Sequence, residues 1–359
     1  MIKYIGSKRL LVPLIGDVVD ALSPEGSVLD LFSGTARVGH ALKGRGHQVF
    51  SNDLNRYAHT LATCYVQADA EHVVDEARTW LDHLSKLPGH RGYFTRTFCE
   101  DSRFFQPKNG MRVDAIRDAI AEAQLRPELE AVLLVSLMEA ADRVDSTTGV
   151  QMAYLKAWAR RAHKDLELRI PKVLPGNGRP SVAHCADALE TAGKVTATVA
   201  YLDPPYNQHK YLGNYHIWET LVRWDDPEPY GKAQKRIDCK QRKSPYNSTR
   251  QIHDALRTVV DALDAEHLVV SFSDEGFVSR DEMVDILSSR GEVWVLARPY
   301  KRYVGAKIGI HNPSGNKVGS VSHVVNKEFL YVVPGPGVQA DALAATAPQG
   351  LTWSRHSSG

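Results

Sequence analysis

The run Val199-Ala-Tyr-Leu-Asp203-Pro204-Pro205-Tyr206-Asn207 ends an apolar stretch in an acid, two prolines and an aromatic ring. Neither proline donates a backbone hydrogen bond, and both have φ fixed by the ring. Such a turn is stiff and leaves its carbonyls to accept. A carboxylate beside an unpaired carbonyl suits an amino group with two N–H donors. Held that way, Asp203 and the Pro204 carbonyl draw the nitrogen lone pair out of a base ring and aim it at a methyl donor. Pro205 stiffens the corner, and Tyr206 offers a face on which the base can stack. The same residue types also make a plain strand-ending turn. Its place at the C-terminal end of a strand in an α/β pattern, where ligands bind, favours chemistry.

A second constellation lies upstream. Asp30-Leu-Phe-Ser-Gly34-Thr-Ala-Arg-Val-Gly39 follows a short apolar run and leads into a helical pattern. Gly34 permits a tight turn and close backbone approach to a ligand at a helix N-terminus. Asp53 lies about 20 residues on, placed for ribose hydroxyls. The G-x-G-x-x-G spacing of nicotinamide sites is absent. Asp187, after the next strand, is an acceptor for a cofactor's adenine amino group, or a turn residue. In Tyr4-Ile-Gly-Ser-Lys8-Arg9, Lys8 follows a glycine turn, where its ammonium can meet the carboxylate of an amino-acid-like cofactor.

These residues need a frame. Val28–Leu31 and Gln48–Asn52 read as strands around a helix at Arg37–Lys43, the opening of a doubly wound sheet. A helix follows through about Val66. Strands resume at Ser181–Cys185, Val199–Asp203, His267–Phe272, Val293–Leu296 and Phe329–Val333, which makes seven. Between them, residues 67–180 show mainly helical periodicity. Helices are expected around Asp114–Ile120, from Pro127 through Met138, and around Tyr154–Trp158. The cluster Pro171–Pro180 closes this block. The reading is an α/β, Rossmann-like seven-stranded sheet from residues 1–66 and 181–334, with an inserted helical domain at 67–180. Residues 335–359 read as a flexible tail. Leu10–Val19 fits an amphipathic helix better than a signal peptide, because Pro13 and Asp17 interrupt it.

Taken together, the order and spacing of these segments resemble the Dam-type adenine-specific DNA methyltransferases, including Ser271–Asp274 after the fifth strand. That resemblance implies S-adenosylmethionine as methyl donor and direct transfer to adenine N6. It implies Asp203, Pro204, Pro205 and Tyr206 as the catalytic turn. Tyr4, Lys8, Asp30, Phe32, Ser33, Gly34, Thr35, Asp53 and Asp187 then fall around the cofactor. One departure stands out: the family's loop usually reads Phe-x-Gly-x-Gly, and here Ala36 replaces the second glycine. No metal is expected.

An adenine inside a duplex cannot enter such a pocket, so double-stranded DNA with base flipping is the expected substrate. Net charge over 359 residues is only +2, so phosphate contacts must come from local clusters. Lys232–Arg250, including Lys235, Arg236, Arg242 and Lys243, is one such cluster, although a charge run is also what a solvated face looks like. Within it, Ser244-Pro245-Tyr246 looks faintly like a second catalytic turn but lacks a preceding strand, and is set aside. In the insert, Arg96, Arg103, Lys108, Asn109 and Arg112 are candidates for reading base edges. Four scattered cysteines with no C-x-x-C pair fit a reducing cytoplasm, and no apolar run is long enough for a membrane. A cognate restriction endonuclease is a possible partner. The residues leave open an N4-cytosine or RNA-adenine methyltransferase, and a catalytically silent DNA-binding module on the same scaffold.

Overall fold

All seven expected strands form. They are β1 Ser27–Asp30, β2 Gln48–Asn52, β3 Val182–His184, β4 Ala197–Leu202, β5 Ala265–Ser273, β6 Val293–Lys301 and β7 Val325–Val333. An eighth, β8 at Ser354–His356, pairs antiparallel with β6. The computed structural model describes residues 1–6, 8–301, 310–311, 317–319 and 325–357; Ser7 lies outside them. The sheet order is β8-β6-β7-β5-β4-β1-β2-β3. β3, β2, β1, β4 and β5 run parallel, and β7 runs antiparallel between β5 and β6. The chain leaves β1 toward β3 at one edge, then returns to β4 on the other side of β1. That reversal opens a crevice at the carboxyl ends of β1 and β4.

Side chains alternate across the strands. Val28, Val49, Val199 and Val269 enter one apolar cluster, while Leu29, Ala200, Leu268 and Val270 enter another on the opposite face. Burial on both faces is what a parallel sheet requires. The first face is covered by α1 Val12–Leu22, α2 Arg37–Gly44 and α3 Arg56–Ala62. The helical block follows with α4 Ala70–Lys86, α5 Pro107–Glu122 and α6 Pro127–Val144. Leu81, Ile116 and Leu137 of these helices lie in the same cluster as Val28 and Val199. The block therefore shares a core with the sheet instead of building its own. The second face is covered by α7 Ala188–Ala192, followed in the chain by α8 His216–Arg223 on the first face, then α9 Ile252–Ala262 and α10 Arg280–Ser288 on the second.

Two expectations are corrected. Tyr154–Trp158 is not helical. Tyr154 bridges to Thr147, Leu155 N–H donates to the Ser146 carbonyl, and Ala159 N–H donates to Ser146 Oγ. Hydrogen bonds to the end of α6 thus hold the segment extended against its helical periodicity. The supposed tail carries α11 Ala340–Ala345 and strand β8, with Leu343 fully buried and Trp353 packed edge-on against Trp294. Its small, polar composition hid the two apolar anchors that dock it.

Candidate active site

β1 and β4 place their last residues side by side: Asp30 pairs with Tyr201, and Leu31 N–H donates to the Tyr201 carbonyl. Asp203 and the loop after Asp30 therefore face one crevice. Tyr4, Lys8, Asp30, Phe32, Ser33, Gly34, Thr35, Asp53, Asp187, Asp203 and Pro205 all line it, a cleft of about 1220 Å³ counted to its open mouth. Pro204 is buried behind the turn. Tyr206 does not line the cleft; its ring leans edge-on against Phe272 with centroids 5.7 Å apart.

The loop is braced for close approach. Gly34 has φ +51, and its N–H donates to Asp53 Oδ2 at 3.0 Å. Asn55 holds the other Asp53 oxygen through its backbone N–H and side chain. Ala36 takes a left-handed φ of 57 where the family's second glycine would stand. The loop thus keeps that conformation at a cost of about 1–2 kcal/mol for an L-residue. Asp30 accepts from Gly39 N–H through Oδ2, while its Oδ1 and Ser33 Oγ are buried with no hydrogen-bond partner among the described residues. Asp187 caps α7 by accepting from Leu189 N–H with one oxygen.

The N-terminal segment is clamped in place by aromatics. The Tyr4 ring stacks between Tyr211 and Tyr215, at 5.3 and 4.4 Å, and Ile5 N–H donates to the Tyr215 hydroxyl. This seats Lys8 in the crevice. Its Nζ is 3.1 Å from Asp203 Oδ1 and also pairs with Glu328 Oε1. The ammonium therefore meets two protein carboxylates. Burial would lower the Lys8 pKa, but the two acids override it and hold it well above the ordinary value. Burial lifts Asp203 to about 6 despite the Lys8 charge. Asp30 rises to about 7, first through burial, with repulsion from Asp203 and Asp53 adding to it against the Gly39 hydrogen bond. Burial raises Asp53 as well. The floor is acidic, which suits a cationic ligand.

Several cleft residues were not legible. Ser244-Pro245-Tyr246-Asn247, set aside on sequence grounds, lines the cleft opposite Phe32. Tyr246 meets Phe32 edge-on at 5.1 Å, and Asn247 Nδ2 donates to the carbonyls of Asn207 and His209 just past the catalytic turn. The segment is no second catalytic turn, yet it links the two halves of the site. Its signal was present only as a proline–tyrosine pair after a basic run.

The DNA-contact candidates divide. Arg242 and Lys243 line the cleft mouth. Lys235 is half-buried beside Met152. Arg236 is 2% exposed and forks onto Asp225 while also bonding Asp238, so it is no phosphate contact. In the insert, Arg96 is exposed. Arg103 lies over the Trp158 ring, and Lys108 pairs with Asp165. Asn109 is buried, donating to the Lys164 carbonyl and accepting from Leu166 N–H, and Arg112 donates to the last carbonyls of α4 at Leu84 and Ser85. Neither is placed to read bases. Phe104 and Phe105, which these candidates flank, are both core.

With the geometry in hand, relatives can be compared. The chain is 30% identical over 320 residues to Modification methylase StsI of Streptococcus sanguinis, covering 84% of this chain and 48% of that protein. It is 28% identical over 338 residues to Type II methyltransferase M.NlaIII of Neisseria lactamica, covering 91% and 99%. It is 30% identical over 323 residues to Type II methyltransferase M.FokI of Planomicrobium okeanokoites, covering 84% and 49%. The chain thus spans about half the length of the first and third of these. A profile of the D12 class N6 adenine-specific DNA methyltransferase family matches residues 4–286, taking in both the Tyr4 segment and the Asp203 turn. The chain belongs to the D12 class of N6 adenine-specific DNA methyltransferases.

Proposed function

We propose that this chain transfers a methyl group from S-adenosylmethionine to N6 of an adenine flipped out of double-stranded DNA at a specific site. The observation that carries this is the opening of Asp203 and Pro205 into the same cleft as Gly34 and Asp53. The residues present suit that donor. Asp30 Oδ1 and Ser33 Oγ are buried acceptors with no partner among the described residues, an acidic floor favours a sulfonium and an ammonium, and Phe32 with Tyr246 makes an aromatic slot. Asp53 would hold ribose hydroxyls, Phe32 and Tyr246 the adenine ring with Asp187 at its amino group, and Asp30 with Ser33 the ammonium end. Gly34 and Thr35 shape the floor beneath. When bound, S-adenosylmethionine supplies an electrophilic methyl group.

The chain's own part is to hold and orient the amine. Ionised Asp203 and the Pro204 carbonyl accept from its two N–H donors, which localises the lone pair on nitrogen. Tyr206 rotates off Phe272 to stack on the extruded base, as flipped bases require. Lys243 and Arg242 at the mouth meet phosphates, and the insert, through Arg96 and its neighbours, supplies site preference. The relatives' titles as modification and Type II methylases support site-specific marking, with a cognate endonuclease as partner. The free cysteines fit cytoplasmic residence.

The test is direct. Duplex DNA and RNA pools are incubated with labelled S-adenosylmethionine, and the modified nucleoside is identified. N6-methyladenine in duplex DNA is expected; N4-methylcytosine or labelled RNA would refute the assignment. Asp203→Ala should lower transfer by at least about 10³-fold while cofactor affinity stays within a few fold. Undiminished turnover would mean the turn is not the catalytic corner.

A further inference from the structure

Lys8 is buried at the cleft wall between two carboxylates from distant parts of the chain. Its Nζ is 3.1 Å from Asp203 Oδ1, and it hydrogen-bonds Glu328, 320 residues away. Glu328 is buried on β7 opposite Ser273 of β5, behind the catalytic turn. The arrangement conflicts with the work assigned to Asp203. One oxygen of the carboxylate that should accept from an incoming amine already accepts from an ammonium, and an ammonium is the stronger donor. Lys8 cannot simply withdraw, because a buried cation without a partner is costly. Glu328 removes the conflict. It is a second anion within reach of the same ammonium, so Lys8 can leave Asp203 without losing its charge partner. The same movement takes a positive charge away from a nitrogen that becomes positive as it is alkylated.

We propose that Glu328 is a positioning residue that draws the Lys8 ammonium off Asp203 when the target amine enters, freeing the carboxylate for it. This rests on the methyltransferase reading above. Glu328 does not line the cleft; it acts through Lys8.

The full chain is assayed in single-turnover transfer of tritiated methyl from S-adenosylmethionine to plasmid DNA, with cofactor Kd measured in parallel. E328Q should lower the rate at least tenfold with cofactor Kd within twofold, because Lys8 then stays on Asp203. Adding K8M to E328Q should restore the rate at least fivefold, which a merely structural loss would not allow. An E328Q rate equal to wild type, or a double variant no faster than E328Q, overturns the proposal. A structure of the wild-type complex with duplex DNA and an unreactive cofactor analogue tests it without any variant. Lys8 Nζ should sit on Glu328 and outside hydrogen-bond reach of Asp203; Nζ still on Asp203 overturns it. Wild-type protein that methylates no DNA sinks the methyltransferase reading itself, whereas active wild type with equally active E328Q sinks only the role of Glu328.

Discussion

Asp203 is largely but not wholly buried at the cleft wall, and burial raises its carboxyl to about 6 despite the Lys8 charge. The protonated acid therefore persists to higher pH than in an ordinary carboxylate, and the ionised form is gained as pH rises through about 6. Only that form presents acceptor oxygens alone to an amine. We expect kcat/KM to fall about tenfold per pH unit below about 6 and to flatten above it. A rate profile flat down to pH 5 would show that Asp203 ionises elsewhere or does not matter. Gly34 supports a different residue-scale prediction. A Cβ there would come no closer than 3.6 Å to Tyr4, so the protein has room for it; only the backbone at φ +51 objects. Gly34→Ala should cost about 1–2 kcal/mol of stability, read by urea unfolding. The methyl group stands where a cofactor's backbone contact belongs, so cofactor affinity should fall at least about tenfold, which is about 1.4 kcal/mol. Unchanged affinity would place the cofactor away from this loop.

The elements separate what periodicity can reveal from what it cannot. The seven strands were legible because each is a short apolar run bounded by turn residues, and both faces of the sheet are buried. The Asp203–Tyr206 turn drew notice because its residue types sit in four consecutive positions at the end of a strand. The Lys8–Glu328 pair was not, since only the antiparallel insertion of β7 beside β5 brings residues 320 apart together. Tyr154–Trp158 misled for a related reason: it is held by contacts to Ser146 and Thr147, in the stretch after α6, which its own helical periodicity does not register. Asn109 shows the limit most sharply. A polar residue at the first turn of α5 reads as exposed, yet it is 2% exposed and bridges Lys164 and Leu166. Asn109→Ala should therefore destabilise by about 1–3 kcal/mol through unpaired backbone groups. Thermal unfolding of the variant beside sequencing of its methylated sites tests this: Tm should drop while the site preference stays the same. An altered preference at full stability would return Asn109 to the base-reading set.

For the molecule as a whole, a net charge of +2 means that DNA is not gathered by a general positive field. On the proposed function, DNA is held by exposed cations that line the cleft, and Lys243 differs in this from the cations used internally. Lys243 is exposed and lines the mouth, whereas Arg236, seven residues earlier, is buried and committed to Asp225 and Asp238. The two therefore make opposite predictions from the same basic run. Lys243→Ala should weaken binding to all duplexes alike and flatten the plot of log affinity against log salt by about 1, with no change in melting temperature. Arg236→Ala should leave the salt slope unchanged, because no phosphate contact is lost. It removes a buried charged donor from two acids that keep Arg223 as a partner, so it should destabilise the fold by about 1.5–3 kcal/mol. Titrations of unrelated duplexes from about 50 to 200 mM salt, with thermal melts of both variants, separate the effects. If Arg236→Ala flattened the salt dependence at full stability, the buried network would have to open on DNA, and the hairpin at Pro229–Arg236 would belong to the DNA surface after all.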